Sequence, residues 1–306
     1  AGLQRALRPR RDDRPRDRTP RGGRSGLVTG PLVVKLGGAL LDEAARFPEV
    51  FDALARMHQL HAGGVVIVHG GGKAVDRQLD RLGIRTERRE GIRITPPEAV
   101  EQVTAVLAGA MNTQLLGLLL SRGASAVGLT LTDGHLARAR RTERFGFDPG
   151  RVGELTGGDG ALVKHLLAGG YLPVLSSIAT CEAGGFLNVN ADDAAAQLAG
   201  IVGASGLLLL TDVPGVRGAD GTVIAELDAD DAERLIADGT VTGGMIAKVR
   251  GDRAADEAGG VPVVIASWAD PAALEALASG ASIGTRVVPP HCATGAASTR
   301  EGALAR

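Results

Sequence analysis

Apolar residues in this chain fall in short continuous runs, separated by longer Ala/Leu-rich stretches with helical spacing. LVVKLGG (32–38), VVIVHGGG (65–72), ASAVGL (124–129), LPVLSS (172–177), GLLLLTDVPGV (206–216), VPVVIAS (261–267) and GTRVV (284–288) read as strands. Helices are expected over 43–62, 97–121, 159–169, 228–238, 244–259 and 271–279, and within NVNADDAAAQLAGIVG (188–203). Alternation of this kind, with strands apolar on both faces, predicts an α/β fold with a mainly parallel sheet covered by helices on both sides. Ligands of such sheets collect where strands end and helices begin, because loop amides and helix dipoles converge there.

Composition changes the picture at the ends. The formal net charge of −1 hides nine Arg and three Asp among residues 1–30, so the remainder carries about −7. A mildly acidic body argues against a nucleic-acid surface. The first 30 residues, with Pro9, Pro15 and Pro20, read as a disordered Arg-rich tail, and 290–306 as a second one. An organellar targeting segment fits poorly with one Ser and three Asp. Cys181 and Cys292 lack metal spacing and read as reduced thiols of a cytoplasmic protein. No apolar run is expected to span a membrane.

The candidate chemistry sits where the strands stop. Gly70, Gly71 and Gly72 match neither G-x-G-x-x-G nor a P-loop, because Ala74 stands where Ser or Thr is required after Lys73. One glycine would serve a plain turn, so three favour close approach of a ligand to bare backbone. His69 before them is as readily structural as catalytic. Lys35 lies inside a buried strand pattern two residues before Gly37 and Gly38, which is costly unless its ammonium faces an anion. Asn190 or Asp192 could cap a helix, but Asn188, Asn190 and Asp192 alternate and would share one side of an extended chain. Asp212, Pro214 and Gly215 form a turn after a buried strand, and Lys248 follows Gly243 and Gly244 at a helix start.

Taken in order, K-x-G-G, H-G-G-G, GIRIT (91–95), N-V-N-A-D, D-V-P-G and G-G-M-x-x-K resemble the amino-acid kinase family, in its acetylglutamate branch, from about Pro31 to Pro289. The resemblance implies a three-layer αβα sandwich around an open sheet. A lobe over 31–200 would bind the acylated amino acid, and one over 201–289 would bind ATP. It implies transfer of the ATP γ-phosphoryl group to the side-chain carboxylate of N-acetyl-L-glutamate, a step of arginine biosynthesis. Some members of the family are hexamers linked through an N-terminal helix, but the proline- and glycine-rich tail here is a poor helix, so a homodimer is expected, and the acidic body and short apolar runs predict that it binds neither nucleic acid nor membrane. By position, Lys35 and Lys248 would handle phosphate and Asp192 would organise them. Gly71, Gly72, Arg93, Asn188 and Asn190 would hold the amino acid. Gly37, Gly38, Asp212, Val213, Pro214, Gly215, Val216, Arg217, Thr242, Gly243 and Gly244 would meet phosphate or nucleotide. Mg²⁺ would ride on the nucleotide phosphates, with no protein ligand assigned. A carboxylate is already ionised at neutral pH, so the transfer needs no general base. A kinase for the one-methylene-longer N-acetyl-aminoadipate and an inactive ligand-binding regulator are the alternatives.

Overall fold

The computed structural model describes residues 30–89, 91–241, 245–246, 260–278 and 280–288. Residues 1–29 of the tail expected at 1–30, the tail expected at 290–306, most of the helix expected at 244–259, and Thr242, Gly243, Gly244, Lys248 and Cys292 lie outside the described residues.

In chain order the strands are β1 (Leu32–Leu36), β2 (Val65–His69), β3 (Arg88–Arg89), β4 (Ile92–Arg93), β5 (Ala126–Leu129), β6 (Ala137–Arg141) and β7 (Val152–Gly158). Then follow β8 (Leu172–Ser176), β9 (Ile178–Thr180), β10 (Phe186–Val189), β11 (Gly206–Thr211), β12 (Glu226–Asp228), β13 (Val263–Ser267) and β14 (Thr285–Val288). Eight of them form the central sheet in the order β12-β14-β13-β11-β1-β2-β8-β5. All its pairings are parallel except β13 with β14. Every residue of β1, β2, β8 and β11 is buried, as strands covered on both faces require.

Side-chain alternation splits β1 and β2 between two cores. Val34, Leu36 and Ile67 face helices α1 (Gly38–Asp42), α2 (Pro48–Leu60), α3 (Gly72–Arg81) and α4 (Pro97–Leu120). Val33, Val66 and Val68 face α5 (Ala161–Ala168), α6 (Ala191–Val202) and α7 (Ala229–Ala237). Helix α8 (Pro271–Ala278) adds Leu274 to the first core. The α/β sandwich expected from the strand–helix alternation is what forms.

Two features depart from expectation. A second sheet, ordered β6-β7-β10-β9, packs Ala137, Ala139, Leu155, Leu187 and Val189 into the core that α6 covers. Its first strand, ARARR, alternates buried alanines with exposed arginines, a period-2 pattern without β-branched residues to mark it. Helix α4, at 24 residues, is also long and apolar enough by composition to cross a membrane, contrary to the expectation that no such run exists. Here Val103, Leu107, Leu115 and Leu119 pack on the sheet, and buried Asn112 bonds across to Val174, so α4 is a core helix of the sandwich. Its stretch Ala105–Met111 is a π-helix, a widening that recurs at ligand sites.

Candidate active site

At the carboxyl ends of β1 and β2 the chain opens a cavity of about 230 Å³. Its wall includes Lys35, Gly38, Gly71, Gly72, Arg93, Asn188, Asn190 and Asp192, residues spread over 158 positions of sequence. Lys35 is the fourth of the five residues of β1, with both flanking residues buried, and it is 7% exposed. Its Nζ stands 2.8 Å from Asp192 Oδ1. A buried ammonium at this strand position therefore has the anionic partner its desolvation requires.

Asp192 is held in place by its backbone. Asn190, at the N-cap of α6, accepts hydrogen bonds through Oδ1 from the Asp192 N–H (2.9 Å) and the Asp193 N–H (3.2 Å). Capping thus occupies the Asn190 side-chain oxygen, and the extended alternation stops there, since Asp192 already lies in the first helical turn. Two carboxylates in that turn suit the positive end of the helix dipole. Asp193 pairs outward with Arg144. Asn188, on β10, donates from Nδ2 to Thr95 Oγ1 (3.1 Å), and the Thr95 hydroxyl donates in turn to the Arg93 carbonyl (3.0 Å). Fully buried Thr95 therefore couples two of the expected substrate residues, a link that the sequence reading missed.

Gly71 in the triplet is bare for a reason that the sequence does not display. A Cβ on Gly71 would strike Met111 Sδ and come within 2.9 Å of Leu107 Cδ2, both carried on the π segment of α4. One on Gly70 would press on the Ala191 Cβ at 3.2 Å, and one on Gly72 would meet Arg88 Nη2 at 2.9 Å. Crowding by buried Met111 and Leu107 disfavours a side chain at Gly71, whereas the half-exposed Arg88 guanidinium beside Gly72 can move aside; the backbone of all three glycines lines the cavity. Gly38 differs: a Cβ there would meet nothing within 4 Å. A Cβ on Gly37 would come within 3.0 Å of the Leu210 carbonyl on β11. Lys73 points away, 71% exposed, with Nζ 3.5 Å from Asp42.

His69 is structural. Its Nδ1 lies 3.0 Å from the Gly70 carbonyl, which can only accept, so Nδ1 carries the proton. Nε2 then accepts from Asn112 Nδ2 at 3.0 Å, and that amide also donates to the Val174 carbonyl. Burial lowers the imidazole pKa to about 4 against the opposing pull of the Gly70 carbonyl, so the ring is neutral and locks the glycine turn. Asn112 was missed, since a single Asn inside an apolar helix carries no signal until the fold sets it beside His69.

The expected nucleotide segment follows β11, the neighbour of β1 in the sheet. Asp212, Pro214 and Arg217 are exposed and Val213 half-buried. Gly215 and Val216 face inward: a Cβ on Gly215 would meet Thr285 Oγ1 at 2.7 Å, and Val216 is in the core with its N–H bonded to that same hydroxyl (2.8 Å). Those two residues hold the loop rather than present a side chain. Among the described residues no group of three or more His, Cys, Asp or Glu side chains is placed to bind a metal ion.

The central sheet thus carries a lysine–carboxylate pair and glycine turns at its carboxyl edge. Residues 30–267 match the model of the amino acid kinase family, and the chain belongs to that family. Among its relatives, acetylglutamate kinase of Pectobacterium atrosepticum is 44% identical over 84% of this chain and 99% of its own length. Acetylglutamate kinase of Vibrio cholerae is 41% identical over 87% of this chain and all of its own. Of solved structures, N-acetylglutamate synthase from Neisseria gonorrhoeae, complexed with coenzyme A and N-acetyl-glutamate, superposes with a TM-score of 0.72 at 23% identity, over 87% of this chain and 61% of that one. Carbamate kinase from Giardia lamblia bound to AMP-PNP superposes at 0.59 and 17% identity, over 87% of this chain and all of that one. Both share the fold.

Proposed function

We propose that this chain is an ATP-dependent kinase that phosphorylates the side-chain carboxylate of N-acetyl-L-glutamate, giving an acyl phosphate for arginine biosynthesis. The observation that carries the reading is the buried Lys35–Asp192 pair on the wall of a cavity that also holds Arg93. Relatives named acetylglutamate kinase match the chain at 41–44% identity over nearly their whole length. A cavity of about 230 Å³ suits a small acid and is below the roughly 300–1,000 Å³ of sites for larger ligands, so the nucleotide belongs outside it.

The obstacle in this reaction is repulsion between an anionic nucleophile and an anionic phosphoryl group. Positioning and positive charge overcome it. In this reading Lys35, aimed by its ion pair with Asp192, meets the phosphoryl oxygens, and backbone at Gly38, Gly71 and Gly72 surrounds the site of transfer. Arg93 and Asn188 hold the acceptor, and Lys248, by its place in the motif order, handles phosphate. ATP lies along Asp212–Arg217 and Thr242–Gly244, on the 201–289 lobe. Mg²⁺ travels on the nucleotide phosphates, where it offsets charge. The working form is a homodimer: β5, one of the two edges of the central sheet, offers only Ala126, Val127, Gly128 and Leu129, all half-buried and uncharged, an edge that calls for cover. A cytoplasmic setting suits the free Cys181 thiol.

The test is hydroxylamine trapping of acyl phosphate with ATP and each of four acceptors: N-acetyl-L-glutamate, glutamate, aspartate and N-acetyl-aminoadipate. Hydroxamate formed fastest from N-acetyl-L-glutamate supports the reading. A preference for the longer acid, or nucleotide binding without turnover, overturns it.

A further inference from the structure

One wall of the cavity carries two guanidinium groups where the resemblance assigns one. Arg93 is 6% exposed and anchored on three sides. Its Nη1 donates to Thr86 Oγ1 at 3.0 Å and stands 2.5 Å from Asp76 Oδ1, and its Nη2 donates to the Gly72 carbonyl at 2.9 Å. Among the described residues these contacts engage three of the five guanidinium N–H groups, which leaves two for a ligand. Arg88 sits directly opposite Arg93 in the β3–β4 ladder, where like charges repel. It nevertheless lines the same cavity, and its Nη2 donates to the second Asp76 oxygen at 3.2 Å. A Cβ on Gly72 would crowd that same Nη2.

Asp76 projects from α3, one turn after the glycine loop, and its two oxygens each hold one guanidinium. Burial raises the Asp76 pKa, but the hydrogen bond and charge of Arg93, with those of Arg88, outweigh it and keep the carboxyl below its ordinary value. One carboxylate between two guanidiniums leaves the wall net positive. That charge belongs to the acceptor carboxylate that does not react. A guanidinium fork on the nucleophilic carboxylate would stabilise the ground state and draw it from the phosphoryl group beside Lys35.

We propose that Arg88 is a second substrate-binding residue for the α-carboxylate of the acceptor, and that Asp76 is a positioning residue that aligns Arg88 and Arg93 for it. The proposal rests on the acetylglutamate kinase reading. Its probe is a pair of acceptors: N-acetyl-L-glutamate, and 4-acetamidobutanoate, which keeps the reacting carboxylate and lacks the other. Binding to the full chain is measured by calorimetry, and turnover in parallel. Arg88→Ala is expected to weaken N-acetyl-L-glutamate about tenfold, the scale of one half-exposed charge-assisted hydrogen bond, while leaving 4-acetamidobutanoate and the KM for ATP unchanged. Arg88→Lys should recover part of the loss. Asp76→Asn should raise the KM for N-acetyl-L-glutamate with little change in kcat, and should add less in the Arg88→Ala background than alone. Equal weakening of both acceptors by Arg88→Ala, or none, overturns the proposal. Acceptor-selective binding by a chain that makes no acyl phosphate would support this inference and overturn the kinase reading. A wild-type chain that binds neither acceptor overturns both.

Discussion

Replacing Lys35 by alanine removes the one described cation that touches Asp192 inside the cavity wall. Its Nζ reaches Asp192 Oδ1 at 2.8 Å, and a phosphoryl oxygen held at the same contact distance sets the scale. Two unit charges at 2.8 Å with an effective dielectric of about 20 attract by about 6 kcal/mol. Only the charge that shifts on the way to the transition state counts toward rate. Taking roughly half gives about 3 kcal/mol, or about two decades in kcat. The assay is ADP release under saturating ATP and N-acetyl-L-glutamate, on protein first shown to be folded by its melting transition. Lys35→Arg keeps the charge but not the compact point geometry of an ammonium, and should fall between the two. A folded Lys35→Ala variant within threefold of wild-type kcat would refute the role given to this residue.

Three further outcomes follow from the packing around the site. Gly71→Ala should cost about 1–3 kcal/mol of stability by denaturant titration, because Leu107 and buried Met111 leave no room, and Met111→Ala in the same chain should recover part of it. An unchanged midpoint in the single variant would show that crowding does not dictate this glycine. His69 has a folded-state pKa of about 4, below its unfolded value, so the unfolded chain takes up the proton first and stability must fall as pH drops from about 6.5 toward 4. That is about 2 kcal/mol lost by pH 5 from His69 alone, with His58 and His61, also lowered by burial, acting in the same direction; urea midpoints that hold steady from pH 7 to 5 would contradict it. Val127→Lys on the β5 edge should convert a dimer to a monomer in light scattering, and a wild-type monomer would dispose of the edge-pairing idea.

Much of this was legible because buried charge is expensive. Lys35 between apolar neighbours announced an anionic partner, and the sequence placed Asp192 among the candidates. The central strands were legible because residues buried on both faces leave unbroken apolar runs. The small sheet was not, since alanine–arginine alternation in β6 and three glycines in β7 carry little strand propensity. Nor could the crowding at Gly71 be read, because it depends on a π segment that brings Leu107 and Met111 against a loop about 40 residues earlier. Asp76 and Arg88 look like ordinary surface charges on a helix and a hairpin; only their meeting over Gly72 gives them meaning. Thr95 lay inside a motif already noticed, but its bond to Asn188 spans 93 residues.

The central claim is that a carboxylate oxygen of N-acetyl-L-glutamate attacks the γ-phosphorus of ATP, and isotope transfer tests it most directly. With both side-chain carboxylate oxygens labelled as ¹⁸O, the oxygen bridging carbon and phosphorus in the product comes from the substrate. Hydroxylamine attack at the carbonyl then releases phosphate carrying one ¹⁸O, visible by mass or by ³¹P shift, with one hydroxamate per ADP. Unlabelled phosphate released with ADP would mean that water, not the carboxylate, receives the phosphoryl group, and would contradict the account.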